Sequence, residues 1–483
     1  MKNKRRDFLK LSSLAGMGMF TGLVNPVSGS TTGSIRTAQA GIQRFNMSGY
    51  AAPRLETVRL GFIGLGNRGP AHVSQTSKLE GVQIMALCDL RPEKLEAAKK
   101  KIENSHIDPT LYKGKEDWKK LCERSDIDLV YIATPWYLHA PMALYAMEHG
   151  KHVAMEVPGP ITLEDSWKLV ETSERTRKHC MILENSCYDF FELLTLNMAR
   201  QGFFGDIVHC EGAYIHALMQ GNFSKTKYWD LWRLKQNATR NGNLYPTHGL
   251  GPVAQAMNIN RGDRMDYMVA MSSNDFMMGA MAKNLAEKDN FYQPYTGKHF
   301  RGNMNTTTIR TVKGRTIMLQ HDVTSPRPYS RIHLVSGTKG TAQKYPLVGA
   351  DGRIAISFDM SDPEQYNKTP LPEWITAEEY RAVSEKYTPS IVKKVGELAK
   401  QVGGHGGMDF LMNWRLIDCL RNGLPLDIDV YDTASWGCIG PFSELSVAKR
   451  ATVEIPDFTR GSWKTNKPLD IELKQGGNTK VII

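Results

Sequence analysis

The sequence predicts an α/β fold that begins with a doubly wound parallel sheet. Apolar, strand-like runs alternate with helix-like segments between residues 57 and 186. Such alternation is typical of a parallel sheet with helices on both faces. A glycine-rich turn follows the first run and an acidic residue follows the second. Together these observations predict a Rossmann domain over residues 57–186.

The composition is that of a globular protein. The 483 residues are 41% hydrophobic, 9% aromatic and 23% charged, which excludes disordered, collagen-like and coiled-coil classes. The net charge is +11, but no long basic run follows residue 40, so we expect no nucleic-acid partner. The seven cysteines are scattered and form no CxxC pair. They indicate free thiols, and we expect no metal site.

Residues 1–40 are interpreted as a twin-arginine export signal. Arg5 and Arg6 precede a moderately apolar stretch over residues 11–24, and Ala38-Gln39-Ala40 offers a cleavage site. The stretch is too short and too rich in glycine and serine for a stable membrane span. We therefore expect an exported, periplasmic protein with no membrane span. Residues 41–56 are interpreted as a linker.

The glycine-rich turn is Gly64-Leu65-Gly66-Asn67-Arg68-Gly69, between a strand over residues 58–63 and a helix over residues 70–79. Gly64 permits the tight turn, Gly66 lets the backbone approach a pyrophosphate, and Gly69 allows close packing of helix on strand. Asp89 follows 20 residues later. Its carboxylate can accept hydrogen bonds from a ribose diol and repels a 2′-phosphate. The cofactor predicted is NAD, in preference to NADP.

The predicted sheet continues beyond Asp89. Strands are predicted over residues 128–133, 151–156 and 180–184, with helices over residues 140–149 and after the Thr162 cap. Ligands of such sheets bind at the carboxyl ends of the strands. Residues 135–139, Glu156 and Asn185 are therefore expected at the cofactor crevice. Near the far end of the chain, a helix is predicted over residues 433–449 and an extended tail over residues 456–483.

These residues resemble the Gfo/Idh/MocA oxidoreductase family. The resemblance runs through the glycine turn, Asp89, residues 133–135 with His139, and residues 150–158. It implies a second α/β domain with an open, mostly antiparallel sheet that carries the substrate site. This domain is placed at residues 187–440, with residues 441–483 as a helix end and tail. Where this sequence has Glu156-Val157-Pro158, most members of the family have Glu-Lys-Pro. The lysine of that motif assists hydride transfer. Val157 therefore argues against a simple dehydrogenase.

More specifically, the chain resembles glycoside hydrolase family 109, the NAD-dependent α-N-acetylgalactosaminidases. The strings that carry this resemblance are Trp136-Tyr137-Leu138-His139, residues 184–188, 212–216, 229–233, 243–249 and 405–409. The resemblance implies that NAD transiently oxidises the sugar C3 hydroxyl, which acidifies the C2 proton. The C1 leaving group is then eliminated, water adds, and C3 is reduced again. No NAD is consumed.

The resemblance and the residue types together give a candidate site. Tyr188, His248 and Glu156 are the candidate catalytic residues, and the roles of the individual protons stay open. Substrate contacts are expected from aromatic faces and a forked donor, and cofactor contacts from the glycine turn and the strand ends. The cofactor residues are Gly64, Leu65, Gly66, Asn67, Arg68, Gly69, Asp89, Trp136, Tyr137, Leu138, His139, Glu156, Val157 and Asn185. The substrate residues are Tyr214, Arg233, Tyr245, Pro246, Thr247, His248 and Tyr329.

Several alternatives stay open at this point. The protein can also be an exported sugar oxidoreductase with net hydride transfer, or a carbohydrate-binding protein without catalysis. The expected partner is a glycan or glycoside, and the resemblance implies a homodimer as one option. His405 and Asp409 have a spacing that a metal can use, but two ligands are too few. The glycines around His405 favour a mobile lid over the site.

Overall fold

The computed structural model describes residues 34–35, 41–103, 107–346, 352–357, 372–468 and 470–482. The proposed export signal lies outside these ranges, apart from the two-residue strand Ser34–Ile35 (β1). None of the helices in the described ranges has the length and hydrophobicity of a transmembrane segment.

The N-terminal domain is built on a six-stranded parallel sheet. Its strands are β2 (Val58–Ile63), β3 (Val82–Cys88), β4 (Thr110–Tyr112), β5 (Leu129–Ile132), β6 (His152–Met155) and β7 (Cys180–Ile182). They lie in the order β4-β3-β2-β5-β6-β7 with parallel pairing throughout. This is the strand order of a doubly wound sheet with its crevice at the switch between β2 and β5. The predicted fold of this domain is confirmed.

Helices connect these strands. They are Gly69–Thr76, Pro92–Lys99, Asp117–Glu123, His139–Glu148 and Leu163–Thr176. Short 3-10 turns follow two of the strands, at Trp136–Leu138 and Asn185–Tyr188. The predicted cap is present, because Thr162 Oγ1 accepts a hydrogen bond from the Asp165 backbone N–H at 3.0 Å. The first helix ends at Thr76 rather than at residue 79, and Leu79 instead pairs with Val481.

The C-terminal domain contains the second sheet. Its strands are β8 (Ile207–Ile215), β9 (Met265–Ser272), β10 (Met304–Thr311), β11 (Thr316–Asp322), β12 (Leu334–Gly337), β13 (Gly340–Gln343), β14 (Arg353–Ile356) and β15 (Thr452–Glu454). They lie in the order β15-β9-β10-β11-β8-β12-β13-β14. The β8–β11 pair is parallel and the other pairs are antiparallel. The expected open, mostly antiparallel sheet is confirmed.

Some of the helices of this domain pack against its sheet, and others pack against the first domain. They are Phe190–Arg200, Met219–Phe223, Trp232–Asn237, Thr247–Ala256, Met278–Ala286, Ala377–Tyr387, Ser390–Val402, Met408–Asn422, Val430–Gly437 and Ile439–Lys449. The last two replace the single helix predicted over residues 433–449, which was wrong. Pro441 has no N–H to donate to the preceding turn, and the helices are separated at Cys438, within the turn that lacks this hydrogen bond.

The linker and the tail are packed segments. Met47 and Ala52 are buried, and the Tyr431 hydroxyl accepts hydrogen bonds from Gln43 Nε2 at 2.7 Å and from the Met47 N–H at 3.1 Å. In the tail, the Thr479 carbonyl accepts a hydrogen bond from Trp414 Nε1 at 2.9 Å. These contacts attach residues 41–56 to Tyr431 and the tail to Trp414, so both segments are part of the packed fold. The seven cysteines are buried free thiols, as predicted.

Candidate active site

A cavity of about 800 Å³ opens at the carboxyl ends of the parallel strands and is lined by both domains. Most residues predicted for the site lie on its walls. They are Gly64, Gly66, Asn67, Arg68, Asp89, Trp136, Tyr137, Leu138, Glu156, Val157, Asn185, Tyr214, Arg233, Tyr245 and His248. The cofactor and substrate residues inferred from the sequence thus share one continuous space.

The glycine turn forms a cradle that a side chain would fill. Gly64 has a φ of +90°, and a Cβ there would lie 2.7 Å from the carbonyl carbon of Ala133. A Cβ on Gly69 would lie 2.0 Å from the Gly64 carbonyl oxygen. Only glycine fits at these two positions. The bare backbone and the free N–H groups of the following helix leave room for a pyrophosphate, so the cradle fits a dinucleotide.

Asp89 is fixed at the end of β3. Its Oδ2 accepts a hydrogen bond from the Leu65 N–H at 2.7 Å, and its Oδ1 accepts one from the Arg91 N–H at 3.0 Å. Arg91 Nε also donates to Oδ1, at 3.1 Å. The carboxylate therefore has a defined orientation at the cavity wall. This arrangement fits the ribose diol of NAD, the cofactor of this type of Rossmann domain.

Glu156 is a buried carboxylate held by two donors. Arg68 Nε lies 2.9 Å and His72 Nε2 lies 2.8 Å from Glu156 Oε1. Burial alone would raise the pKa of Glu156, but the charge of Arg68 and the hydrogen bond with His72 outweigh it and lower the pKa to about 2. A carboxylate with so low a pKa is a poor proton carrier near neutral pH. The geometry gives Glu156 a positioning role.

Arg68 also connects the glycine turn to the second domain. Its Nη1 donates to Asp409 Oδ2 at 2.9 Å, and Asp409 Oδ1 accepts a hydrogen bond from Asn185 Nδ2 at 2.6 Å. Burial would raise the pKa of Asp409, but its partners His405 and Arg68 lower it well below its usual range. Asp409 is therefore a charged anchor between the two halves of the cavity.

Two histidines line the cavity with a buried carboxylate behind each. His248 Nδ1 lies 2.6 Å from Glu184 Oε1, and His405 Nδ1 lies 2.8 Å from Asp409 Oδ2. The two carboxylate side chains are 0% and 1% exposed. A carboxylate in this position orients the ring and leaves its other nitrogen for a substrate. Both histidines can therefore act as general acids or bases.

The other side of the cavity is aromatic. The Tyr214 ring centre lies 4.6 Å from that of Tyr245 and 5.2 Å from that of His248. The Arg233 guanidinium lies 5.0 Å from the Tyr245 ring centre and 5.2 Å from the Trp136 ring centre. Flat faces next to a forked cationic donor can bind the C–H face and the hydroxyl or carbonyl groups of a sugar.

Tyr188 is not among the described residues that line the cavity. It is 2% exposed, and its hydroxyl donates to Asp427 Oδ2 at 3.2 Å. Burial next to Asp427 raises the pKa of Tyr188 well above its ordinary value. The structure thus gives Tyr188 a partner inside the protein and brings His248, rather than Tyr188, to the cavity.

The remaining predicted residues lie behind the walls or at the rim. Leu65 and Gly69 build the cradle, and Pro246 and Thr247 begin the helix that carries His248. His139 Nε2 lies 2.8 Å from the Thr134 carbonyl oxygen. The Tyr329 ring centre lies 5.2 Å from that of His216, a cavity residue. Within the described ranges, no group of three or more His, Cys, Asp or Glu residues could hold a metal ion.

Four contributors to this site were not predicted from the sequence. His216 lies on the cavity wall, and its position two residues after Tyr214, directly after the end of β8, was a usable signal. Glu184 and Asp409 were not recognised as the acids behind His248 and His405. Lys227 lies on the cavity wall, where its backbone carbonyl accepts a hydrogen bond from Asn67 Nδ2 at 2.8 Å.

Comparisons with known proteins agree with this geometry. Residues 58–184 match the model for the oxidoreductase family with an NAD-binding Rossmann fold, and residues 188–465 match the glycosyl hydrolase 109 C-terminal domain. "Glycosyl hydrolase family 109 protein 1" of Bacteroides fragilis is 49% identical over 423 residues, 87% of this chain and 89% of that protein. An "Alpha-N-acetylgalactosaminidase" of the same species is 49% identical over 421 residues, 86% of this chain and 95% of that protein.

Solved structures show the same fold at low sequence identity. A levoglucosan dehydrogenase in complex with NADH is 18% identical, with a TM-score of 0.62 over 83% of this chain and 100% of that one. A scyllo-inositol dehydrogenase from Lactobacillus casei, with NAD(H) and scyllo-inositol, is 15% identical, with a TM-score of 0.57 over 83% and 99%. The fold is that of these oxidoreductases, and the sequence relatives are glycosidases. The chain belongs to glycosyl hydrolase family 109.

Proposed function

We propose that the protein hydrolyses terminal α-N-acetylgalactosaminides by a cycle that consumes no cofactor. The relatives named above support the substrate class. When bound, NAD supplies reversible removal of hydride from the sugar C3, which is returned before the product leaves. The observation that carries the proposal is the single cavity joining the dinucleotide cradle to two carboxylate-held histidines.

The two histidines meet the needs of an elimination at C1 and C2. One group must remove the C2 proton, which is acidic next to a C3 ketone, and another must donate a proton to the departing C1 oxygen. The His248 side chain is 13% exposed and lies among the sugar-facing rings. The His405 side chain is 56% exposed. We assign the C2 proton to the enclosed His248 and the leaving-group proton to His405 on the open side.

The other residues hold the reactants. Glu156 and Asp409 are ionised and fix Arg68 beneath the cofactor cradle. Tyr214 and Tyr245 offer faces to the sugar, and Arg233 is directed between them by its hydrogen bond to the Tyr228 hydroxyl at 3.2 Å. Such a site must hold the sugar and the nicotinamide at a fixed distance and orientation, because the reaction between them depends on both.

Net dehydrogenase activity is the alternative that Val157 argues against. This side chain is 4% exposed and forms an apolar part of the cavity wall. It provides no proton donor or acceptor where the resemblance places the lysine that assists hydride transfer. A net redox reaction also needs an exchange of NADH for NAD or a second substrate that takes up the hydride, and the proposed cycle needs neither.

The test is hydrolysis of an aryl α-N-acetylgalactosaminide in D₂O without added NAD. We expect continuous turnover, with deuterium at C2 of the released sugar, because the abstracted proton exchanges before water adds. A glycoside with hydrogen in place of the C3 hydroxyl should remain intact, since it cannot be oxidised.

Other outcomes would contradict the proposal. NADH accumulating in step with an oxidised sugar would identify a dehydrogenase. Hydrolysis with C2 entirely unlabelled, or cleavage of the 3-deoxy glycoside, would exclude the elimination route. Binding of the sugar without any turnover would leave a carbohydrate-binding protein.

A further inference from the structure

A second cavity, of about 860 Å³, lies apart from the site described above. It is bounded by the end of the helix Phe190–Arg200, by the helix Met408–Asn422 and by residues 468 and 470–475. Its volume lies in the range of small-molecule sites. Two arginines, Arg200 and Arg415, form part of its wall.

Both arginines have a buried donor without an acceptor. Arg200 Nε is buried, and it has no hydrogen-bond acceptor among the residues that the structure describes. Arg415 is 3% exposed, and its Nη1 atom is also buried without a hydrogen-bond acceptor. Asp418 Oδ2 lies 3.6 Å from this atom. Burial, offset only in part by the charge of Asp427, lowers the pKa of Arg200 to about 10. Buried donors without an acceptor destabilise a fold and call for a physical explanation.

The acidic residues on the cavity wall are engaged elsewhere. Glu472 Oε1 accepts a hydrogen bond from Asn197 Nδ2 at 2.7 Å, and its Oε2 accepts one from Ser390 Oγ at 2.6 Å. The Asp470 carboxylate accepts backbone N–H groups of Glu472 and Lys474 at 3.0 and 2.7 Å. These carboxylates therefore stabilise the tail, and neither of them makes a direct hydrogen bond or ion pair with Arg200 in the described part of the chain.

We propose that this second cavity binds a small molecule that carries a carboxylate or phosphate group, whose oxygens accept the free donors of Arg200 and Arg415. A guanidinium matches the planar geometry of either oxyanion. The amide side chains of Gln201, Asn258 and Gln475 line the same cavity and offer hydrogen bonds to the rest of such a ligand. This site does not depend on the glycosidase proposal.

The test compares the full-length protein with two variants, Arg200→Gln and Arg381→Gln. Arg381 lies exposed on the helix Ala377–Tyr387, so its replacement removes the same charge at a distance from the cavity wall. Thermal unfolding is followed with sodium phosphate or sodium acetate, against sodium chloride at equal ionic strength. Arg415 is left intact, because it also binds Asp427 through Nε at 3.0 Å.

Phosphate or acetate should raise the unfolding midpoint of the wild type and of Arg381→Gln by about 2 °C or more near saturation. Arg200→Gln should show no such rise, and calorimetry should give it roughly tenfold weaker binding of the same anion. Without the anion, Arg200→Gln should unfold at no lower temperature than the wild type, because the described residues contain no direct ion pair of Arg200 that the substitution would remove. A response to phosphate alone, or to acetate alone, would identify the ligand class.

Two results would overturn the proposal. One is an equal anion response in Arg200→Gln and the wild type, which would place the anion elsewhere. The other is the absence of any response in the wild type to either anion.

Discussion

The imidazole of His248 and the buried carboxylate of Glu184 lie 2.6 Å apart, from Nδ1 to Oε1. Their sequence separation is 64 residues, and they come from different domains. The strand β7 delivers Glu184 to the cavity edge, and the helix Thr247–Ala256 presents His248 there. With Nδ1 engaged, Nε2 is the ring nitrogen left for substrate. The pair therefore fixes both the orientation and the reacting atom of the histidine.

His248→Ala should lose at least about 10²-fold in kcat on an aryl α-N-acetylgalactosaminide, because the base is gone. Glu184→Gln should lose less, since the His248 ring remains but is no longer oriented by a carboxylate. Bound NAD, measured by absorbance after denaturation, should stay at the wild-type level in both variants. Loss of NAD along with activity would show that His248 supports the fold instead.

If His405 protonates the leaving group, as proposed, the activity lost on its replacement should depend on the leaving group. A 4-nitrophenolate departs without much protonation, whereas an alkoxide requires it. His405→Ala should therefore lose more activity on an alkyl glycoside than on the 4-nitrophenyl glycoside, and His248→Ala should lose similarly on both. An equal loss on the two substrates in His405→Ala would contradict the assignment.

Asp89 should set the choice of dinucleotide. Asp89→Ser removes both the ribose contact and the charge that repels a 2′-phosphate, while Arg91 stays nearby. We expect NAD affinity to fall by roughly tenfold and the preference over NADP to shrink. Fluorescence titration of protein stripped of its cofactor measures both. Unchanged discrimination in Asp89→Ser would place selectivity elsewhere.

The glycine cradle should tolerate no side chain. In Gly69→Ala, the added Cβ would lie 2.0 Å from the Gly64 carbonyl oxygen, so the turn must shift. We expect the purified variant to contain little NAD. Gly41→Ala is the matched control, since nothing lies within 4 Å of its added Cβ. Normal NAD content in Gly69→Ala would show that the cradle is not the pyrophosphate site.

Acid should weaken the fold through Glu156. Its pKa is lowered from 4.5 to about 2 in the folded protein, so its contribution is complete above pH 4.5 and is lost as the pH falls towards 2. Between pH 4.5 and 3 this amounts to about 2 kcal/mol in the free energy of unfolding. Urea unfolding should show a shallower acid dependence for Glu156→Gln than for the wild type. Parallel curves would contradict this contribution.

The sequence predicted the features that are local in the chain. The glycine turn, the strand before it and Asp89 lie within 32 residues, and their order in the sequence indicates dinucleotide binding. The break between the last two helices was missed although its cause, Pro441, is equally local. The helical pattern on both sides of the proline was treated as one element.

The features that escaped prediction depend on distant contacts. Arg68 and Asp409 are 341 positions apart, and no spacing rule brings them together. The Asn185–Tyr188 turn shows a subtler case. Its first residue lines the cavity, but the 3-10 turn directs Tyr188 to Asp427 on the other side. Proximity in sequence to a strand end therefore predicted a position at the cavity for Asn185, where the structure has it, and gave no guide to the orientation of Tyr188.

The double attachment of Arg68 has a consequence for recombining relatives of this protein. One guanidinium binds Glu156 in its own domain and Asp409 in the other. A chimera that exchanges only the nucleotide-binding half must therefore bring an arginine that suits the recipient's aspartate. If the introduced arginine does not reach the aspartate, a buried charge is left unpaired at the interface between the two parental domains. Exchange of domains between such enzymes is therefore constrained by this contact between the domains more than by the position in the chain where the two sequences are joined.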